Sequence, residues 1–262
     1  MKTVCLWFLQ VSDTLNTSSK VNLVIDIGNT RTKIAVFSSS ELIHLEIFDV
    51  FGIMKARQII KMFGINKCIL SNSGNVSDKL LLLLSALDQF IHFEKDTPTP
   101  IINEYETKVT LGKDRLAGAV GTLHYYPKGR TLKVDLGTCI TMDFVNEHLE
   151  FVGGNISPGI NMRLKAMHHF TAKLPLVQVE VNEGLFGKST TTALQNGAVK
   201  GAFFEIESFI HRVREEFGII NVILTGGDAI LFEKYTKNEI FVAPNLVLEG
   251  LNEILKYNAN KN

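Results

Sequence analysis

The chain reads as an α/β protein of two lobes with duplicated topology, and two observations carry that reading. Two short segments, DIGNT (Asp26 to Thr30) and DLGTC (Asp135 to Cys139), each follow an apolar β-rich run and precede another. Between and after them, segments with strand spacing alternate with segments of helical spacing, the pattern of α/β layers. An acid at a strand end followed by a glycine turn is a recurrent way to hold phosphates and a metal ion between hairpins. Its repetition points to a ligand held in a cleft between the lobes. A length of 262 residues accommodates two modest domains.

The elements follow in order. Residues 1–20 hold Lys2, an apolar Val4 to Leu9 stretch and a polar Ser12 to Lys20 run without a small-residue cleavage site. They read as an extension outside the fold, disordered or not part of the native protein, with Val21 a natural start. The first lobe is assigned to 21–129. In it, Val21 to Ile27 and Thr32 to Phe37 are β-branched strands flanking a tight turn; Lys55 to Phe63 has helical apolar spacing; Lys67 to Leu70 is a short strand; and Asp78 to Phe90 reads as a helix. Pro98 and Pro100 break the pattern, Leu116 to Tyr126 reads as a helix, and Pro127-Lys128-Gly129 stops it. The second lobe, 130–262, opens with Thr131 to Leu136 and Ile140 to Val145 as strands. Gly153 to Gly159 then reads as a glycine-rich turn, Ile160 to Phe170 as a helix, Ser189 to Phe217 as a long helix, and Val222 to Leu224 as a strand ending in TGGD.

Composition narrows the function. Lys plus Arg and Asp plus Glu both number 27, so the basic excess of a general nucleic-acid binder is missing. The three cysteines lack C-x-x-C spacing, and the adjacent His168 and His169 diverge on a helix instead of converging on a metal. The apolar run Leu80 to Leu84 is far shorter than the roughly 20 residues of a membrane span. GLFGKST contains the end of a P-loop, but Asn182 stands where its first glycine belongs.

Six segments, DIGNTRTK, GKDR (Gly112 to Arg115), DLGTCIT, GGNISPG, ST followed by ALQNG (Ser189 to Gly197), and LTGGD, occur in this order between Val21 and Tyr257. Together they resemble the type III pantothenate kinases, members of the superfamily of acetate and sugar kinases, actin and heat-shock chaperone ATPases. The resemblance implies two ribonuclease H-like, actin-like lobes with ATP in the cleft between them, and phosphorylation of pantothenate to 4'-phosphopantothenate, the first step of coenzyme A synthesis. It places Asp26, Ile27, Gly28, Asn29, Thr30, Arg31, Thr32, Lys33 and Thr138 at ATP, with Asp26 ordering a hydrated magnesium ion. It makes Asp135 the ligand of a monovalent cation, potassium or ammonium. Tyr105, Gly112, Lys113, Asp114, Arg115 and Thr190 would hold pantothenate, with Asp114 as general base. GGNISPG would shape the acceptor pocket, and Gly226 and Gly227 would pass close to the adenosine. A cytoplasmic homodimer, with its interface on the second lobe, is expected. Cys139 departs from the alanine usual in the family.

Plainer readings exist for each residue. DIGNT suits an ordinary hairpin turn, Asp114 an N-cap near a helix start, Arg115 a surface ion pair, Tyr105 a core aromatic and Thr190 a helix cap. Two other functions fit the same segments: a kinase of a different small alcohol, and a nucleotide-sensing regulator of the same fold.

Overall fold

The computed structural model describes residues 21–28, 31–49, 51–233 and 240–259. The extension 1–20 and two residues of the first turn, Asn29 and Thr30, lie outside the described residues.

Two sheets are built on one plan. In the first, β1 (Val21–Ile27), β2 (Thr32–Ser38) and β3 (Glu41–Phe48) form an antiparallel meander, and β4 (Lys67–Asn72) and β5 (Gln89–His92) add parallel to β1, giving the order β3-β2-β1-β4-β5. The short β6 (Ile102–Asn103) follows in the chain. In the second sheet, β7 (Thr131–Leu136), β8 (Cys139–Val145) and β9 (Glu150–Pro158) repeat the meander, and β10 (Asn221–Thr225) and β11 (Ile240–Val242) repeat the parallel pair. β6 joins the outer edge, parallel to β9. The duplication read from two pentapeptides is therefore a duplication of whole sheets.

Each sheet has an outer face covered by its own helices. On the first, α1 (Ile53–Phe63) and α2 (Asp78–Ser85) pack Ala56, Ile59, Leu80 and Leu84 against Leu23, Ile25 and Ile34. On the second, α4 (Ile160–His169) and α5 (Thr190–Phe217) cover Leu132, Val134 and Leu136. Because side chains alternate along a strand, Val24 and Asp26 of β1, and Lys133 and Asp135 of β7, turn to the opposite, inner faces. There α3 (Lys113–Tyr125) lies on β7 and β8, and α7 (Leu246–Ala259) lies on β1 and β4. A common apolar core joins both helices to both sheets. The five-residue α6 (Ala229–Glu233) follows the TGGD turn.

The two inner helices cross at small residues. A Cβ on Gly250 would stand 1.8 Å from the Ala117 carbonyl oxygen, and one on Gly121 would stand 2.2 Å from that of Leu246. Backbone contact of this kind needs glycine. A buried amide pair, Asn22 Nδ2 donating to Asn252 Oδ1 at 2.8 Å, ties α7 to β1. Segments thus pass between the halves of the chain: β6, upstream of Gly129, pairs in the second sheet, and α7, from the end of the chain, packs on the first.

Three stretches differ from the sequence reading. The helix assigned to Asp78–Phe90 stops at Ser85, and Gln89–His92 is a strand, because parallel pairing with β4 decides a run whose apolar content fits either state. The helix assigned from Leu116 begins at Lys113, bringing the GKDR acid into its first turn. Gly153 to Gly159 is mostly strand β9 and not a turn. Gly154 is there because a Cβ would meet the Met142 carbonyl at 2.2 Å, the close backbone approach for which strands use glycine.

Candidate active site

The two acids occupy equivalent places, each on the inner face, one residue before the end of its strand. Asp26 stands opposite Lys33 across the β1–β2 hairpin, and Asp135 stands opposite Thr141 across β7–β8. Both turns close on a glycine N–H, Gly28 donating to the Arg31 carbonyl and Gly137 to that of Cys139, each at 3.0 Å. The glycines' own N–H groups therefore close the turns, and it is their missing side chains that leave the strand ends open.

Asp114 comes from between the lobes, in the first turn of α3. Gly112, not the acid, is the N-cap, and the Asp114 carboxylate curls back to accept from the Arg115 N–H at 2.9 Å. A Cβ on Gly112 would lie 2.6 Å from Asp114 Oδ1, so the glycine makes room for that fold-back. The carboxylate remains exposed while its neighbours are partly or fully buried.

The Asp114 charge acts on both buried acids. Burial raises the Asp26 carboxyl from its ordinary 3.8 to about 6; Lys33 opposes the shift, Asp114 adds to it, a hydrogen bond from Ser71 opposes it, and Asp135 adds again. Burial likewise raises Asp135, with Lys133 pulling down, Asp114 pushing up, Lys33 pulling down and Asp143 pushing up. Each buried acid is thus set by burial and by charged groups drawn from both sheets and α3.

The remaining residues divide by place. Ile27, Gly28, Arg31 and Thr32 line a cleft of about 330 Å³ beside the first turn, where Arg31 pairs with Asp49 at 3.7 Å. Thr138 is exposed at the second turn, on the rim of a 640 Å³ cleft walled by α4 and the TGGD turn, with Lys165, His169 and Asp228 in its lining. Lys113 points across to the first sheet, its Nζ 3.3 Å from Glu94 and 3.4 Å from Asn72. Arg115 is buried, bonded to Asp143 and stacked 5.4 Å from the Tyr105 ring centre; the surface ion pair open from sequence is not what forms. Thr190 is set apart. It opens α5 beyond the outer face of the second sheet, behind a reciprocal Ser189–Thr192 cap.

Sequence reasoning missed Ser71, Asp143 and Lys133. The one available signal was a lysine inside an otherwise apolar strand, two positions before Asp135 and so on the same face.

Each acid offers a single carboxylate to a cation. A Cβ on Gly226 would come within 2.6 Å of Asp135 Oδ1, and one on Gly137 within 3.6 Å. A single carboxylate clasped between glycines, with room beside it, fits an ion of one charge. Asp26 offers one largely buried carboxylate near the end of β1, a donor set that fits magnesium held mainly by water and substrate phosphates. Among the described residues, no group of three or more His, Cys, Asp or Glu could cage a metal.

Comparison with known proteins follows the same line. Residues 22–212 match the family profile "Type III pantothenate kinase". The type III pantothenate kinase of Cytophaga hutchinsonii is 44% identical over 245 residues, covering 91% of this chain and 100% of that protein. Among solved structures, a Campylobacter jejuni protein assigned to the Baf family of transcriptional activators superposes with a TM-score of 0.57 at 25% identity, covering 91% of this chain and 99% of that one. A Listeria monocytogenes protein assigned as an N-acetylmannosamine kinase does so at 0.53 and 12%, covering 92% and 100%; it speaks for the two-lobed kinase fold alone. With its fold and nearly its whole length matched in this way, the chain belongs to the type III pantothenate kinase family.

Proposed function

We propose that this protein transfers the γ-phosphoryl group of ATP to the primary hydroxyl of pantothenate, with Asp114 as general base. The observation that carries the proposal is that the charge of Asp114, on the helix between the lobes, adds to the rise of both buried hairpin acids, Asp26 and Asp135. The hydroxyl oxygen bonds to the γ-phosphorus, the bond from that phosphorus to the bridging oxygen breaks, ADP leaves, and the hydroxyl proton passes to the exposed Asp114 carboxylate. Phosphoryl transfer of this kind depends on placement and charge, with little covalent work for the protein.

The nucleoside fits the 640 Å³ cleft of the second lobe. From there the phosphates reach Thr138 and the first turn, where Lys33 supplies positive charge. Asp26 would order hydrated magnesium and Asp135 would hold potassium or ammonium; when bound, these ions offset charge on the phosphates. Tyr105, Gly112, Lys113 and Arg115 form the acceptor side.

We assign a homodimer, for two reasons. Leu185 and Phe186, adjacent in the loop before α5, are both more than 60% exposed, apolar surface suited to a partner. Thr190, implied to touch pantothenate, opens α5 on the outer face of the second sheet while Asp114 lies on the inner side, which supports a reading in which it serves the partner's acceptor site. A cytoplasmic enzyme is consistent with the absence, among the described residues, of any helix long and apolar enough to cross a membrane.

A coupled assay with a panel of acceptor alcohols, ATP and magnesium, in potassium and then in sodium, tests the reading. Turnover of pantothenate that falls sharply in sodium is expected. Strong turnover of a sugar and none of pantothenate would overturn it.

A further inference from the structure

We propose that Lys133 is a positioning residue of the acceptor site, which by occupying one oxygen of Asp143 fixes the orientation in which Arg115 meets the carboxylate of pantothenate. The inference rests on the function proposed above and names a device within that site.

The residues form a buried triad. Lys133 and Asp143 are 1% and 0% exposed, and Lys133 Nζ lies 2.7 Å from Asp143 Oδ2. Arg115 donates from Nε at 2.8 Å and from Nη2 at 2.5 Å, both to Oδ1. Arginine and a carboxylate left to themselves favour the forked pairing in which two N–H groups meet two oxygens. Here the second oxygen belongs to Lys133, with the Thr141 hydroxyl also directed at it from 3.5 Å. The guanidinium is held on one oxygen only, between the Tyr105 and Phe151 rings at 5.4 and 5.7 Å from their centres. Two glycines make the space: a Cβ on Gly118 would lie 3.0 Å from Lys133 Cδ, and one on Gly154 would lie 2.5 Å from Asp143 Oδ1 and 2.9 Å from Arg115 Nη2.

Stability does not account for the lysine. Its ammonium has an ionic partner but no hydrogen-bond partner of good geometry, and a buried ion pair is commonly matched or bettered by an apolar residue of similar size. Orientation does account for it: with Oδ2 taken by Lys133, the guanidinium is held on Oδ1 alone, against the Tyr105 ring on the acceptor side.

The test is steady-state kinetics of the full chain carrying Lys133→Met, with pantothenate and with pantothenol, its carboxylate-free analogue, as acceptor or competing ligand. The expected result is a pantothenate KM raised roughly tenfold or more with kcat within about threefold, an unchanged KM for ATP, and pantothenol affinity altered by less than about twofold. Lys133→Arg should recover part of the loss. If Lys133→Met does not fold, Lys133→Met/Asp143→Leu removes the ion pair together and leaves Arg115 with no carboxylate to orient it, so the same selective loss is expected. An unchanged KM, or equal losses for both ligands, would overturn the proposal. Wild-type protein that leaves pantothenate unphosphorylated would instead refute the function on which it rests.

Discussion

Asp26 is held against its own charge. Its carboxyl sits among other acids in a partly closed cleft, and burial lifts it to about 6 from 3.8. A carboxyl raised on folding costs stability when ionised, so the ligand-free protein is expected to weaken as pH rises from about 4 through 6 and to gain nothing beyond. Asp26→Asn removes the conflict. It is expected to stabilise the ligand-free protein at pH 7.5 by at most about 3 kcal/mol, a gain that shrinks to nothing near pH 4. Urea unfolding at the two pH values checks this; a loss of stability at the higher pH would contradict it. The same substitution is expected to impair turnover, which is the usual relation between a strained site and its use.

The crossing of α3 and α7 is the element on which the site's alignment depends, since α3 carries Asp114 and Arg115 while α7 is fixed to β1 beneath Asp26. Gly250→Ala places a methyl 1.8 Å from the Ala117 carbonyl and forces the helices apart. A loss of about 1–3 kcal/mol is expected, together with reduced kcat as Asp114 shifts. Gly197→Ala, in α5 with nothing within 4 Å of the new methyl, is the contrast and is expected to gain up to about 1 kcal/mol. Calorimetry and kinetics on the pair separate a crowded crossing from a general intolerance of change.

Legibility in sequence followed the same division into elements. The paired hairpins were readable because period-two apolar runs flank short turns whose acids repeat, and α5 because its cap and length are explicit. The end of α2 and the short β6 and β11 were not, because pairing with other strands chooses their state, and β9 was not because its glycines, there for close approach to β8, read as a turn. At the site, Asp26, Asp114 and Asp135 were legible as acids beside glycines. Asp143 and Lys133 were not, since their meaning lies in what β8 and α3 bring to them. Arg115 was legible as a cation but not as a buried one.

At the scale of the molecule, the homodimer proposed above has Thr190 of one chain completing the acceptor site of the other. Inactive Asp114→Asn and Thr190→Arg proteins, unfolded together and refolded as a mixture, are expected to recover about a quarter of the wild-type sites, because half the dimers are mixed and each mixed dimer holds one intact site. Activity no greater than the sum of the separate proteins would place Thr190 in its own chain's site or outside any.

The convergence of Asp26, Asp114 and Asp135 on one transferring phosphoryl group is tested most directly by following 4'-phosphopantothenate formation by mass in wild-type protein and in Asp114→Asn, alongside ATP binding by calorimetry. Expected are rapid product formation by the wild type, a loss of about 10²- to 10⁴-fold in the variant, and ATP affinity preserved in both. Near-normal product formation by Asp114→Asn would contradict the assignment of the base and the reading of the cleft built around it.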